Sequence, residues 1–334
     1  MELKPIEEQV VVVMGASSGI GRETALRFAN RGAKVVVSAR SEKGLASLVE
    51  EIRGTGGEAT AIPADASEFE QVRAVADGAV EEYGRLDTWV HLSAVILFAA
   101  FEDTTPEEFR RLIDVNLMGQ VYGAMAALPH LRREGRGALV HVSSMGARRS
   151  IPLQSAYCAS KHGIEGFLES LRVEMEHEGL PIGVTNVLPA TINTPFFDKA
   201  RTKLGVKPVA PPPIYQPGIV ADAILHAAER PARDLVVGGA AKALLVSQAV
   251  SPRLLDAVMK RVGFEVHYTD EPKSEDAPDN LFAPIEGHDT VEGSFSKRAH
   301  PRSFYTWLQL HPVVKRSLLV GASLGALSIL RARS

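Results

Sequence analysis

The chain has 334 residues, with 37 lysines and arginines against 40 aspartates and glutamates and a net charge of −3. This length suffices for a full doubly wound core with a surplus, and the near-neutral balance argues against a nucleic-acid partner held by bulk charge. A single cysteine, Cys158, excludes an internal disulfide and accords with a cytoplasmic location, and Met1-Glu2-Leu3-Lys4-Pro5 lacks the basic-then-apolar order of a signal peptide.

In chain order, the first element is the β-branched run Val10-Val11-Val12-Val13-Met14, of the kind buried on both faces of a parallel sheet. Gly15-Ala16-Ser17-Ser18-Gly19-Ile20-Gly21 follows at once, and a helical pattern runs from Arg22 to Asn30. Strand, glycine turn and helix start in this order form a dinucleotide-binding arrangement. The glycines let the backbone approach a pyrophosphate, and the helix N-terminus directs N–H groups and partial positive charge at it. Residues Gly15, Ser17, Ser18, Gly19, Ile20 and Gly21 are the candidate contacts.

Lys34–Ser38 reads as a second strand, and a helix around Glu42–Arg53 ends at the break Gly54-Thr55-Gly56-Gly57. Strand Ala59–Pro63, helix Glu68–Tyr83, strand Leu86–Leu92 and a long helical region over about Pro106–Arg132 come next. Strand Ala138–Val142, helix Ser155–Glu178, strand Ile182–Leu188, helix Ile219–Glu229 and strand Asp234–Val237 complete the alternation. The pattern predicts an α/β fold, a Rossmann-like doubly wound parallel sheet with helices on both faces, over residues 1–240.

Residues 241–334 form a C-terminal extension. Leu244–Val262 has the pattern of one helix; Tyr268–Gly293, acidic and rich in proline and glycine, is expected to be irregular and to wrap the core or a neighbouring subunit. Ser317–Leu330 carries no charge and is flanked by Lys315, Arg316, Arg331 and Arg333. It falls short of the roughly 20 apolar residues a span needs, so an interfacial helix at a membrane surface and a buried docking helix both fit it.

The chemistry is carried by Tyr157 and Lys161, four residues apart in Ser155-Ala156-Tyr157-Cys158-Ala159-Ser160-Lys161, with Ser144 thirteen residues before the tyrosine. Residues four apart share a helix face, so the ammonium can lie near the phenol. A tyrosine near its reference pKa of about 10 is a poor acid or base at neutral pH, and a neighbouring cation would draw it towards the working range.

With these blocks in hand, the chain resembles the short-chain dehydrogenase/reductase family over roughly residues 8 to 240. Further motifs carry the likeness: Asp65 after the third strand, Asp114-Val115-Asn116-Leu117-Met118-Gly119, Leu139-Val140-His141-Val142-Ser143-Ser144, and Pro189-Ala190-Thr191-Ile192-Asn193-Thr194. The resemblance implies a reaction at a carbonyl or secondary alcohol, with Tyr157 exchanging the proton and Ser144 holding the substrate oxygen. Lys161 would bias the phenol and bond the nicotinamide ribose, while Asn116 would position a relay water behind it. Ser93, Ala94, Pro189, Ile192 and Thr194 would contact the cofactor, and Asp65 would accept from the adenine edge or cap the next helix.

The second strand ends Ser38-Ala39-Arg40-Ser41, without the carboxylate that binds ribose hydroxyls of NAD. Arg40 suits a 2′-phosphate, so NADP(H) is expected over NAD(H). Three departures from the family pattern bear on geometry: Met14 for a threonine, His91-Leu92-Ser93-Ala94 for Asn-Asn-Ala-Gly, and Ala190 for a glycine. His91 lies on an apolar strand and is expected to be structural. No metal is expected, because His130, His141, His162 and His177 lack ligand spacing. The proline-rich stretch from Pro195-Phe196-Phe197 to Tyr215 falls where the family has a substrate-covering loop, which suggests a lid over an apolar substrate. The expected partners are a small-molecule carbonyl or alcohol and further copies of the chain in a homo-oligomer. A reductase of carrier-bound 3-oxoacyl groups and a catalytically idle NADP(H)-binding regulator are the alternatives.

Overall fold

The computed structural model describes residues 1–209, 211–315 and 317. The chain opens with β1 (Val10–Met14), α1 (Gly19–Asn30), β2 (Lys34–Ser38), α2 (Glu42–Gly54), β3 (Glu58–Ala61) and α3 (Phe69–Tyr83). Next come β4 (Thr88–His91), β5 (Leu97–Phe98), α4 (Pro106–Ile113), α5 (Gly119–Arg133), β6 (Gly137–Val142), α6 (Ser155–His177) and β7 (Ile182–Pro189). Short strands β8 (Thr191–Ile192), β9 (Arg201–Thr202) and β10 (Ile214–Tyr215) precede α7 (Gly218–Glu229) and β11 (Asp234–Val237). The extension holds α8 (Gly239–Val250), α9 (Pro252–Val262), β12 (Ala299–His300) and α10 (Phe304–Leu310).

Seven strands form one parallel sheet in the order β11-β7-β6-β4-β1-β2-β3. The order reverses between β1 and β4, and in open α/β sheets ligands bind in the crevice outside the strand ends at such a switch point. The strand period sorts β1 between two cores. Val11 and Val13 pack with Phe28, Leu45 and Leu48 of α1 and α2, while Val10, Val12 and Met14 pack with Val72, Val75 and Leu168 of α3 and α6. Both faces are therefore covered, which is why the strand reads as an unbroken apolar run.

Three expectations are corrected. The long helix of residues 106–132 is interrupted by a π-turn at Asp114–Met118, which separates α4 from α5. The third strand stops at Ala61, two residues before Pro63, whose ring lacks the N–H a ladder needs. The single helix over 244–262 is two, because Pro252 sets the first turn of α9 and breaks continuity at Ser251.

Tyr268–Gly293 contains no helix or strand, as expected, and it wraps this chain's own core. Leu281 is fully buried among Val95, Leu97, Leu112, Val115 and Ala156. Beyond it, β12 pairs in parallel with β10, which pairs with β8. Gly238 N–H then donates to Thr306 Oγ1 of α10 at 2.9 Å. Among the described residues, no helix is long and apolar enough to cross a membrane. The apolar run 317–330 lies, Ser317 apart, outside the described residues.

Candidate active site

One cleft opens at the carboxyl ends of the central strands, and every sequence-predicted site residue except Asn116 borders it. The glycine loop forms the part facing β1. Gly15 has φ +92°, and a Cβ there would stand 2.6 Å from Ser93 N; a Cβ on Gly21 would stand 2.1 Å from Gly15 O. Only side-chain-free residues allow this close layering of loop, helix start and neighbouring strand. The cradle left in front of it, with Ser17, Ser18, Gly19 and Ile20 on its border, has the helix start and close backbone approach that suit a phosphate group. Ala94 keeps an ordinary φ. Leu153 is the one described non-glycine residue with positive φ, at 65°, in the turn leading into α6.

Tyr157 and Lys161 lie one turn apart on α6, with Lys161 Nζ 5.6 Å from the tyrosine ring centre. Lys161 is fully buried and donates to Val142 O at 3.0 Å. Burial pulls its ammonium down to about 7. Burial also pushes the Tyr157 phenol up to about 12, against the opposing pull of the Ser144 hydroxyl. A lowered phenol was expected from a cation one turn away. The difference has a plain cause: desolvation disfavours both charged forms, and the ammonium is engaged by a carbonyl, not by the phenol. Ser144 caps the turn Met145–Ala147, accepting from Gly146 N at 3.0 Å. Its hydroxyl therefore sits at the edge of the cleft on a short, fixed turn. Cys158, beside the tyrosine, is buried, and burial raises its thiol, so it has none of the thiolate character of a nucleophile.

Asn116 sits behind the cleft on the π-turn, fully buried. Its amide brackets the backbone of Val95, accepting from N at 2.8 Å and donating to O at 2.9 Å, and donates to Ser160 Oγ at 3.3 Å. This joins the strand-end loop to α6 near Lys161. His91 and His141 face each other across paired strands β4 and β6, both fully buried. Trp89 Nε1 donates to His91 Nδ1 at 3.4 Å, and His141 Nδ1 pairs with Gln120 Oε1 at 2.6 Å. Burial pulls His141 down to about 3, helped by the charge of Lys161, so both rings are neutral structural groups.

At the end of the cleft beside β2 and β3, Asp65 is fully engaged within the chain. One carboxylate oxygen accepts from Ser67 N and Oγ, the other from Arg111 Nη2 at 2.7 Å; burial alone would raise its carboxyl, but these bonds and the Arg111 charge together hold it below the usual range. It does not cap α3, whose N-cap is Glu68. Arg40 points its guanidinium at the extension, donating to Asn280 O at 2.6 Å and Phe282 O at 3.2 Å. Pro189, Ile192 and Thr194 line the opposite side; Thr194 lies against Gly19, where a Cβ would stand 3.0 Å from its own Cβ. Ala190 fits without the glycine of the family pattern, its N–H donating to Val237 O at 2.8 Å.

Several cleft residues lie beyond what motif spacing reveals. Lys199 donates to Ser18 Oγ at 2.6 Å, and burial lowers its ammonium to about 8 while Asp289 opposes that shift. Asn280, Pro284, Ile285 and Asp289 of the extension also border the cleft. Gly19 N–H, at the first turn of α1, donates to Thr290 O at 2.8 Å. No motif or spacing marks Lys199 or the extension residues, because their neighbours in the cleft come from distant parts of the chain. Phe196 lies 6.0 Å from Tyr157 between ring centres and against Phe197, so the expected substrate-loop segment does reach the tyrosine. Among the described residues, no three His, Cys, Asp or Glu side chains gather as a metal site.

Comparison with known proteins agrees with this architecture. The family model for short chain dehydrogenase matches residues 9–205. The uncharacterized oxidoreductase YxnA of Bacillus subtilis is 37% identical over 324 residues, covering 96% of this chain and 90% of that protein, so the likeness extends through the C-terminal extension. Among solved structures, a 3-ketoacyl-ACP reductase from Sinorhizobium meliloti superposes with TM-score 0.64 at 28% identity, covering 70% of this chain and 99% of that one. An alcohol dehydrogenase from Thermococcus sibiricus, complexed with 5-hydroxy-NADP, gives TM-score 0.60 at 25% identity over 69% of this chain and 95% of that one. Sheet order, glycine cradle and these matches together make the chain an oxidoreductase of the short-chain dehydrogenase/reductase family.

Proposed function

We propose that the protein transfers a hydride between NADP(H) and the carbonyl or secondary alcohol of a small apolar molecule, with Tyr157 as general acid and base. The observation that carries this reading is the convergence of Tyr157, Lys161 and Ser144 on the cleft that the glycine loop borders. When bound, the nicotinamide supplies or accepts the hydride. In reduction, Tyr157 gives its proton to the substrate oxygen as negative charge develops there, and Ser144 Oγ donates a second hydrogen bond to that oxygen. A phenol near 12 is a weak acid, so Lys161 must carry its proton when the substrate and cofactor are seated, lowering the phenol by charge. Asn116 fixes the backbone behind this pair.

The apolar character of the substrate rests on Val95, Ile96, Met145, Ile151, Phe196 and Phe197, which line the cleft beside the tyrosine. The NADP(H) preference rests on Arg40 at the end of β2, with the NADP-type ligand of the Thermococcus neighbour in support. We further propose a cytoplasmic homo-oligomer whose terminal apolar run contacts a membrane surface. An exposed apolar row along α8 and α9, including Val250, Leu254, Val258 and Val262, supports a contact surface on the extension. The test is a panel of ketones, aldehydes and alcohols with NADPH or NADP. Turnover of apolar carbonyls that vanishes in Tyr157→Phe is the expected result. Tight cofactor binding without turnover across the panel would favour the idle regulator.

A further inference from the structure

The dinucleotide fold reads the adenosine ribose at the end of its second strand, where a carboxylate accepts from the 2′-hydroxyl and a base accommodates a 2′-phosphate. In this chain β2 ends at Ser38, and Ala39, Arg40 and Ser41, which lead from it into α2, include no carboxylate. The structure nevertheless brings one there. Asp289 of the C-terminal extension borders the same cleft, with Oδ1 3.5 Å from Ser41 Oγ. It lies against Gly44 in the first turn of α2, where a Cβ would come within 2.4 Å of that oxygen and 3.0 Å of Ser17 Cβ. The missing side chain at Gly44 is what admits the carboxylate to this spot.

Asp289 is held from both sides. Upstream, Leu281 is buried in the core, and Arg40 and Arg111 donate to the carbonyls of Asn280, Phe282 and Leu281. Next to it, Thr290 O accepts from Gly19 N–H, and further on Phe295 N–H donates to Asn193 Oδ1 at 2.9 Å. The segment thus crosses the cleft from its adenosine end to the segment beside Thr194, and Gly293 lies so close to Thr194 that a Cβ would stand 2.4 Å from its carbonyl oxygen.

We propose that Asp289 is a cofactor-specificity residue supplied by the C-terminal extension, opposing Arg40 at the 2′ position of the adenosine ribose. A carboxylate there accepts from a ribose hydroxyl and repels a 2′-phosphate, while Arg40 does the reverse. The pair therefore moderates the preference for NADP(H) that Arg40 alone would set. This inference rests on the proposed dinucleotide reading of the cleft.

The test uses the full-length protein and titrates NADPH and NADH by fluorescence on wild type, Asp289→Asn, Asp289→Ala, Arg40→Gln and the strap control Glu286→Gln. Removing the carboxylate is expected to tighten NADPH by about tenfold relative to NADH, the scale of a one-unit change in a charge interaction. Arg40→Gln should shift the ratio the opposite way, and Glu286→Gln should leave it within twofold of wild type. If wild type binds a cofactor and both Asp289 variants keep the wild-type ratio, the assignment of Asp289 is overturned while the dinucleotide reading stands. If Glu286→Gln moves the ratio as far as Asp289→Asn, the effect is bulk charge on the extension and the assignment also falls. If wild type binds neither cofactor, the dinucleotide reading itself fails.

Discussion

The sheet body and the segment 279–296 of the extension are both well anchored, but by different physics. The body buries two continuous apolar layers, so each strand's alternation, each helix's apolar face and each glycine turn agree with their neighbours. The extension segment buries little apart from Leu281 and is otherwise tied by polar contacts, among them its backbone carbonyls to Arg40, Arg111 and Gly19, the Asp279 pair with Arg201, the half-buried Asp289 near Ser41 and the bond from Phe295 N–H to Asn193. A structure of the first kind is cooperative. One of the second kind depends on a few separable points and opens at lower free energy than the whole. The lesson is that Tyr157, Lys161 and Ser144 stand on the apolar body, while part of the cleft's rim belongs to a segment held by polar contacts, which is expected to open first.

The strongest test of this division is at Tyr157. Tyr157→Phe should lower turnover by about 10²–10⁴, the usual worth of a positioned acid or base, with cofactor affinity and thermal midpoint near wild type. A loss of cofactor binding of similar size would mean that the residue holds the body together instead.

Acid sensitivity should also belong to the body. His141 titrates near 3 when folded and near 6.5 when unfolded. Between those values the unfolded chain binds the extra proton, so stability falls as pH drops below about 6.5 and levels off near 3. Denaturant titrations at pH 7 and pH 5 should show that loss, and His141→Gln should flatten the slope. An unchanged slope would assign acid sensitivity to other groups.

Leu281→Ala removes the one buried anchor of the extension segment, a deletion that costs about 2–5 kcal/mol where surroundings stay rigid. Because the segment is separable, amide exchange should accelerate across residues 279–296 while the seven-stranded sheet keeps its protection. Uniform loss of protection would make the two regions one cooperative unit. Gly44→Ala should favour α2 by about 0.8–1 kcal/mol on helix propensity alone, yet displace Asp289. Its NADPH-to-NADH binding ratio should move in the same direction as in Asp289→Asn. The smallest effect is expected at Lys43→Ala: its pair with Glu286 is exposed, so the thermal midpoint should reflect less than about 1 kcal/mol.

Much of the body was legible residue by residue. Val10–Met14 and the glycine loop announced a strand, a close backbone approach and a helix start, and the structure has all three in that order. Lys161 and Tyr157 share a face because four-residue spacing fixes it. Their protonation behaviour was not legible, since desolvation depends on what surrounds a group and not on its neighbours in sequence. The π-turn at Asp114–Met118 was likewise invisible, because a single extra residue in a helix leaves its apolar pattern nearly unchanged.

The sequence alone determined the alternation of strands and helices, the glycine cradle and the shared helix face of Tyr157 and Lys161, all of which follow from relations between residues close in the chain. Tertiary structure alone decided that Arg40 faces the carbonyls of Asn280 and Phe282, and that Asp289 reaches Ser41 from 248 residues away. Such contacts obey no period and no spacing rule. They depend on where a chain without helix or strand finds a buried site for Leu281 and partners for its backbone carbonyls, and only the folded body supplies those.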